Sequence, residues 1–218
     1  RLAGQRPAQL LLQRYCSLAG EHHPASLAHH YVAYRAHVRA KVAVLRYRQG
    51  EAAALALARA YHHQSLDHLE RARRRLVLVG GGPGTGKSTL ANEIADRWNW
   101  TVVDSDTLRK DLRGVDHDDH DVARHPELYD QATTDETYAR LCERADALLL
   151  VGESVVLDAT WRDDRHRALA RSVADRRGAD LVEIECRLDP GLARRRISEC
   201  GGSDASDATP GLVDELAS

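Results

Sequence analysis

The chain has 218 residues, of which 43 % are apolar and 29 % are charged, and its formal net charge is −2. This length suits one domain, or one domain and a piece of another, and the balanced charge gives no general attraction to nucleic acid or to a membrane surface. The four cysteines form no CxxC pair, which favours reduced thiols over a zinc site. No apolar run approaches the roughly 20 residues that span a bilayer, and no signal peptide begins the chain, so we expect a cytoplasmic protein.

Residues 1–74 are predicted to form helices. The first ends near Gly20, the second covers 26–50, and the third starts at Glu51. In the second helix, apolar side chains recur at steps of three or four residues, which is the spacing of one helical face. These side chains are Leu27, Tyr31, Tyr34, Val38, Val42 and Leu45. We therefore expect an α-helical segment in front of the rest of the chain.

From residue 75 the pattern changes to apolar strands that alternate with amphipathic helices. The predicted strands are 75–80, 101–104, 154–160 and 179–188. The predicted helices are 90–100, 130–152, 162–178 and 189–200, with a polar loop before the second. The first strand is a continuous apolar run, typical of a strand buried in a parallel sheet. The alternation predicts an α/β fold over 75–218, with a doubly wound parallel sheet.

The stretch LVLVGGGPGTGKSTL, residues 76–90, joins the first strand to the next helix. It matches G-x-x-x-x-G-K-[ST], in the strand-to-helix context that this motif needs. Glycines let backbone N–H groups point at a phosphate chain, and the helix N-terminus attracts the same anion. The predicted nucleotide contacts are Gly81, Gly82, Pro83, Gly84, Thr85, Gly86, Lys87, Ser88 and Thr89. We expect the three-layer sandwich of a P-loop NTPase that binds ATP, with Lys87 at the β- and γ-phosphates and Ser88 on Mg²⁺.

The loop predicts a nucleotide but leaves the reaction open. A mechanical ATPase needs a glutamate after the aspartate of a second acidic strand, and Asp158 is followed by Ala159. A GTPase is suggested only by residues 111–114, a weak DxxG pattern with no guanine-reading NKxD segment after it. A kinase that acts on a small acceptor explains more of the sequence.

The kinase interpretation depends on VVDSDTLRK, residues 102–110. It places Asp104 and Asp106 at the carboxyl end of a strand that we expect beside the P-loop strand, where ligands bind in open α/β sheets. Asp106 is the candidate general base for the attacking hydroxyl. Arg109, one helical turn further on the same face, is the candidate acceptor-binding residue. The alternative is that Asp106 caps a helix and Arg109 is a surface cation, and capping is compatible with catalysis.

Two further candidates lie later in the chain. Arg194, Arg195 and Arg196 precede the glycine-rich tail, and arginines on a closing lid can neutralise the transferring phosphoryl group. We choose Arg196 for this role, with a solvated basic face as the alternative. Asp158 is the candidate partner of Mg²⁺ through water, and the alternative is a cap of the helix that starts near Trp161.

Histidine-rich stretches are weaker signals. The segment HDDHD, residues 117–121, has no rigid scaffold, so we interpret it as a solvated loop near the acceptor pocket and not as a metal site. Three histidine pairs are interpreted as ordinary helix-surface or helix-end residues. They are His22 with His23, His29 with His30, and His62 with His63.

Four segments together carry a resemblance to a known family: GGGPGTGKSTLA, VVDSDTLRKDLRG, GESVVLDATW and the tail SDASDATP. They resemble the P-loop kinase domain of the AAA-family ATPase type, which is similar to gluconate kinases, polynucleotide 5′-kinases and zeta-toxin-like kinases. In bacteria this domain often follows an aminoglycoside-phosphotransferase-like domain. Residues 10–50 resemble the closing helices of that upstream domain.

The resemblance implies a role for each candidate. Lys87 and Ser88 would bind ATP and Mg²⁺, and Asp106 would be the general base. Arg109 would hold the acceptor, and Arg196 would be the first lid arginine. The implied partners are a small-molecule or nucleotide acceptor, a polynucleotide only as a 5′-hydroxyl end, and the upstream domain of the same chain. The alternative is a nucleotide-binding regulatory module, or an ATPase, with little or no acceptor kinase activity.

Three departures from the family pattern qualify this expectation. Cys200 stands four residues after Arg196, where a second lid arginine is usual. The phosphotransferase-like part has no HxD segment, so residues 1–74 are expected to be only its last helices. The final strand and helix of such kinases are expected beyond Ser218. Because the chain has no methionine and starts at Arg1, we interpret it as part of a longer bacterial protein.

Overall fold

The computed structural model divides the chain into two compact units, Arg1–Arg73 and Arg74–Ser218. The residues that it describes are 7–20, 24–116 and 126–199. The HDDHD segment, Cys200 and the glycine-rich tail lie outside these residues. Within the described ranges, no helix combines the length and the apolar character that a membrane crossing requires.

The described part of the first unit is helical, as predicted. Its helices are α1 (Pro7–Ala19), α2 (Ala25–Arg48) and α3 (Ala54–Arg71). α2 and α3 run antiparallel, since the Ser65 hydroxyl donates to the Ala33 carbonyl at 3.0 Å and His29 meets His68 further along. The buried face of α2 is a row of alanines: Ala33, Ala36, Ala40 and Ala43.

The apolar stripe that predicts α2 is not the face that packs on α3. Tyr31, Tyr34 and Leu45 from this stripe are 61 %, 58 % and 56 % exposed. The alanine row packs instead because methyl side chains let two helix axes come close together, and the separation of packed helices depends on the side chains at their contact. The stripe therefore predicts the helix correctly but does not mark its packing face.

The second unit contains a four-stranded sheet in its described residues. The strands are β1 (Arg75–Gly81), β2 (Thr101–Asp104), β3 (Val155–Asp158) and β4 (Asp180–Cys186). Their order is β2-β3-β1-β4, and all neighbours pair in parallel, which confirms the predicted parallel α/β sheet. One expectation is wrong: β2 does not lie beside the P-loop strand β1, because β3 separates them. All four residues of β3 are buried, which suits a central strand, whereas β2 is partly exposed and suits an edge.

Helices cover both faces of this sheet. The helices of the second unit are α4 (Lys87–Trp98), α5 (Ser105–Arg113), α6 (Gln131–Leu150), α7 (Asp164–Arg177) and α8 (Pro190–Glu199). Successive strand residues point to opposite faces. Leu76 and Leu78 of β1 join one core with α6 and α7, and Val77 and Val79 join another with α4. The predicted three-layer sandwich is confirmed.

The short helix α5 occupies the start of the stretch that the element pattern leaves as a polar loop, and it contains the helical turn expected between Asp106 and Arg109. Its N-cap is Asp104, whose carboxylate accepts the Thr107 N–H at 2.7 Å, so the alternative in which Asp106 is the cap is wrong. Its C-cap is Gly114, with φ +65°. The DxxG pattern at 111–114 is therefore the end of a helix, which explains it without a GTPase.

Candidate functional site

The loop between β1 and α4 turns at three glycines. Gly81, Gly84 and Gly86 have φ of +142°, +72° and +90°, which residues with side chains rarely adopt. The Thr85 hydroxyl donates to the Gly82 carbonyl at 2.8 Å and closes the turn. Because Gly86 directly precedes α4, the loop ends at a helix N-terminus, which attracts anions. Among the other predicted contacts, Pro83 and Lys87 are buried and Thr89 is exposed.

Gly81 has no room for a side chain. A Cβ at this position would lie 2.6 Å from the carbonyl oxygen of Cys186 on β4 and 2.7 Å from Thr85 Oγ1. At Gly82 the nearest atom to such a Cβ is Thr85 Cγ2, at 4.0 Å. The start of the loop therefore depends on close packing between the ends of β1 and β4.

We expect Gly81→Ala to lower the free energy of unfolding by about 1–3 kcal/mol, because backbone strain and overpacking act together. Gly82→Ala is the matched control, and we expect a change within about 0.5 kcal/mol because its Cβ meets only ordinary contacts. Urea titrations of both variants measure the difference. Equal stabilities would contradict the close approach of Gly81 to Cys186.

Asp158 ends β3 beside the loop and is only 2 % exposed. Burial raises the pKa of its carboxyl to about 6, and the charge of Lys87 and a hydrogen bond from Ser88 act in the opposite direction. Its Oδ1 has no hydrogen-bond partner among the residues that the structure describes. An oxygen in this position beside a serine hydroxyl suits Mg²⁺, which prefers oxygen ligands.

The alternative role of Asp158 as a helix cap is wrong. The helix that follows, α7, is capped by Asp163, whose carboxylate accepts the Arg165 N–H at 2.8 Å. Asp158 lies five residues before that cap, inside the sheet, where it pairs in register with Asp104 of β2. Capping of α7 therefore does not explain why Asp158 is buried next to the loop.

Asp106 and Arg109 form a pair on α5. Arg109 Nη1 donates to Asp106 Oδ1 at 2.9 Å, and the charge of Asp106 reaches Asp158, where it helps to raise the pKa. Arg109 is only 9 % exposed, and its guanidinium carbon lies 4.9 Å from the ring centroid of Tyr129. Its Nε has no hydrogen-bond partner within the described part of the chain. Arg109 is therefore not a surface cation, which corrects that alternative.

The three arginines of α8 occupy exposed positions. Arg196 Nη1 lies 3.8 Å from the point that a Cβ on Gly86 would occupy, so its guanidinium lies beside the loop. A cation at this position can reach an anion held at the N-terminus of α4.

The site also contains residues that sequence reasoning missed. Cys186 has a free thiol, and burial raises its pKa while the charges of Asp158 and Lys87 also act on it. Cys186 lies near the end of a predicted parallel strand. Because the carboxyl ends of such strands meet at one edge of the sheet, the sequence could have indicated that Cys186 lies at the site. The contact of Tyr129 with Arg109 joins residues far apart in sequence, and no local pattern predicts it.

Sequence comparisons find relatives of this chain. An uncharacterised protein of Mycobacterium tuberculosis is 40 % identical over 209 residues, which are 94 % of this chain and 41 % of the relative. The chain therefore spans about two fifths of the length of the curated relatives that it matches first. A shikimate kinase of Corynebacterium diphtheriae is 44 % identical over 41 residues, covering 19 % of this chain and 24 % of that enzyme.

Solved structures are similar in fold. A candidate kinase from Chloroflexus aurantiacus is 18 % identical with a TM-score of 0.50, covering 66 % of this chain and 75 % of that one. The APS kinase CysC of Mycobacterium tuberculosis, in complex with AMPPNP and APS, is 28 % identical with a TM-score of 0.47. That match covers 57 % of this chain and 68 % of that one.

A family model also matches the chain. The model, described as an AAA domain, matches residues 76–216, which include the phosphate loop, both acidic strand ends and α8. The described residues of this stretch form the P-loop kinase-like α/β fold, with a parallel sheet between layers of helices. The chain therefore belongs to the family that this AAA-domain model describes.

Proposed function

We propose that this chain is a kinase that transfers the γ-phosphoryl group of ATP, with Mg²⁺, to a hydroxyl group of a small-molecule or nucleotide acceptor. The observation that carries the proposal is the pair of Asp106 with the buried Arg109, in which the Asp106 charge also acts on Asp158, the hydrogen-bond partner of Ser88. A module that only binds nucleotide needs the loop, but it has no use for a second carboxylate with a buried guanidinium. The short match to a shikimate kinase supports the same reaction class.

In this proposal Asp106 takes the proton of the acceptor hydroxyl as its oxygen attacks the γ-phosphorus. The bond between the γ-phosphorus and the bridging oxygen breaks, and negative charge collects on the departing ADP. The Lys87 ammonium and the N-terminus of α4 stabilise this charge. Arg109 orients Asp106 through their 2.9 Å hydrogen bond, and its Nε–H can donate to the acceptor.

The residues around Asp158 fit a magnesium ion because a buried carboxylate oxygen there lacks a partner. Ser88 and Asp158 would hold the ion, directly or through water. When bound there, Mg²⁺ would neutralise charge on the phosphate oxygens of the nucleotide. Arg196, beside Gly86, would add a second cation over the phosphates.

The test incubates the purified chain with Mg²⁺ and γ-labelled ATP and a panel of sugars, aminoglycosides, nucleosides and 5′-hydroxyl oligonucleotides. Transfer of label to one class of acceptor establishes a kinase and names its substrate class. Lys87→Ala should lower kcat by about 10²-fold or more, because it removes a donor at the developing charge. The matched control is Lys41→Ala, which changes an exposed lysine of α2 and should leave labelling intact.

The opposite result would be equally clear. Tight ATP binding that needs Lys87, without any labelled acceptor and without released phosphate, would overturn the kinase proposal in favour of a regulatory nucleotide-binding module. Phosphate release without a labelled acceptor would indicate an ATPase.

We also propose that the helices of the first unit pack against an upstream aminoglycoside-phosphotransferase-like domain in the full-length protein. Two observations support this: the curated relatives are much longer than this chain, and Tyr31, Tyr34 and Leu45 of α2 expose apolar surface. In the full-length protein, amide hydrogen exchange of α2 should be slower than in this chain alone. Equal exchange rates would contradict the contact.

A further inference from the structure

The segment that follows β3, residues 158–161 with the sequence DATW, is held against the start of the phosphate loop. The Gly81 N–H donates to the Thr160 carbonyl at 3.3 Å. A Cβ on Gly80 would meet the same carbonyl at 3.3 Å and Trp161 Cβ at 3.4 Å. The segment is therefore hydrogen-bonded to Gly81 and packed against Gly80 at the start of the loop.

Tyr138 of α6 holds the segment from the other side. Its hydroxyl oxygen accepts the Trp161 N–H at 3.1 Å and shares a hydrogen bond with Thr160 Oγ1 at 2.9 Å. Trp161 has φ +51°, in the left-handed region, a conformation that costs of the order of 1 kcal/mol for a residue with a side chain. Such a conformation persists only where the surroundings fix it.

Further contacts fix Trp161. Its side chain is 4 % exposed, and its indole N–H donates to the Leu157 carbonyl at 3.3 Å. The guanidinium of Arg167 donates to its carbonyl oxygen. The Tyr138 ring contacts the indole edge to face, with centroids 5.0 Å apart. Tyr138 of α6 therefore contacts this residue twice, through the hydrogen bond to its backbone N–H and through the indole ring.

Tyr138 is itself fixed by α7. Its ring lies parallel to the His166 ring, with centroids 3.9 Å apart and planes 5° from parallel. His166 Nε2 lies 2.7 Å from Asp135 Oδ1 on α6, one turn before Tyr138. Tyr138 and His166 are 3 % and 8 % exposed. The hydroxyl of Tyr138 therefore stands at a defined place, set by side chains outside the reacting centre.

We propose that Tyr138 is a positioning residue whose hydroxyl sets residues 158–161 and, through them, the Asp158 carboxylate opposite Ser88. This inference rests on the proposed function, since Asp158 and Ser88 are the pair assigned there to Mg²⁺. Removal of the hydroxyl leaves the buried Trp161 N–H without its acceptor, which favours a shift of the segment. The shift moves the Asp158 carboxylate and weakens its contact with Mg²⁺. The residues of the phosphate loop that bind the nucleotide, including Lys87, are unchanged in the variant.

The binding test measures the dissociation constant of AMPPNP by calorimetry, with and without Mg²⁺. In the wild type, Mg²⁺ should lower the dissociation constant of AMPPNP. In Tyr138→Phe this effect of Mg²⁺ should be about 10-fold smaller, the range for residues that support a metal ligand. Metal-free binding should stay close to the wild-type value. Thr160→Val removes the other hydrogen bond of the Tyr138 hydroxyl and should lose part of this effect of Mg²⁺. Tyr47→Phe, on the exposed surface of α2, is the matched control. Wild-type Mg²⁺ dependence in Tyr138→Phe would overturn the proposal.

A second measurement separates this inference from the proposed function. In nucleotide-free protein, the amides of Trp161 and Gly81 should exchange hydrogen faster in Tyr138→Phe than in wild type or Tyr47→Phe. If the wild type binds no AMPPNP, the proposed function fails, and this exchange alone decides whether Tyr138 fixes the segment. Unchanged exchange overturns it. If Tyr138→Phe does not fold, AMPPNP binding and hydrogen exchange are measured on Thr160→Val instead. Wild-type behaviour of that variant in both measurements would count against the proposal.

Discussion

Replacement of Asp106 by asparagine is expected to lower kcat of phosphoryl transfer by about 10²–10⁴-fold, the usual contribution of a general base. Asparagine has the same shape and can still accept the hydrogen bond from Arg109, but it cannot take up a proton. The dissociation constant for ATP should stay close to the wild-type value, because the phosphate loop is unchanged. Steady-state kinetics with the acceptor found by the labelling panel, and calorimetry with ATP, measure the two quantities.

The matched control for this variant is Asp104→Asn. Asp104 caps α5 through the Thr107 N–H, and asparagine caps helices as well as aspartate does, so α5 should persist. Its kcat should fall far less than that of Asp106→Asn. An equal loss in both variants would assign the effect to negative charge at this edge of the sheet. Full transfer activity in Asp106→Asn would show that the base is a different residue.

Asp158→Asn is expected to stabilise the metal-free protein at neutral pH. Burial raises the pKa of Asp158 from 3.8 to about 6 in the folded protein, so the folded state binds the proton more tightly than the unfolded chain. The free energy of unfolding therefore falls as the pH rises from about 4 to about 6, and a shift of roughly two pKa units corresponds to about 3 kcal/mol. Asparagine removes this cost because it carries no charge to bury.

Urea titrations in the absence of Mg²⁺ measure the effect. The variant should be the more stable protein at neutral pH. The difference should vanish only below about pH 3, where the Asp158 carboxyl is protonated in both the folded and the unfolded state. Addition of Mg²⁺ with AMPPNP should then stabilise the wild type more than Asp158→Asn. A wild type that is more stable than the variant at neutral pH without metal would contradict the raised pKa.

The phosphate loop and the strands around it could be predicted because their signals are local. A continuous apolar run, a glycine cluster and the lysine that follows all lie within residues 76–90. The order of the strands could not be derived in this way, since parallel strands are joined by long crossovers and any of several orders fits the same alternation. The burial of all four β3 residues is the property that makes it central, and it becomes visible only once the sheet is assembled.

Helix caps show a second limit. The sequence suggests Asp106 and Asp158 as possible caps, but the residues that cap α5 and α7 are Asp104 and Asp163. The backbone decides between them, because only the residue with extended φ and ψ just before the helix can accept the N–H of the first turn. The contacts of Arg109 with Tyr129 and of Tyr138 with Trp161 join residues about 20 apart, and no local pattern encodes them.

The alanine face between α2 and α3 has a consequence for how that hairpin finds its alignment. A row of identical methyl groups fits its partner almost as well after a slide of one helical turn as before it, so shape alone discriminates poorly between alignments. Two polar contacts break this degeneracy: Ser65 with the Ala33 carbonyl, and His29 with His68, whose Nδ1 atoms lie 2.9 Å apart. A slide would separate both at once and leave the Ser65 hydroxyl buried without its acceptor. Apolar burial holds the two helices together, and two small polar contacts decide which residues face each other.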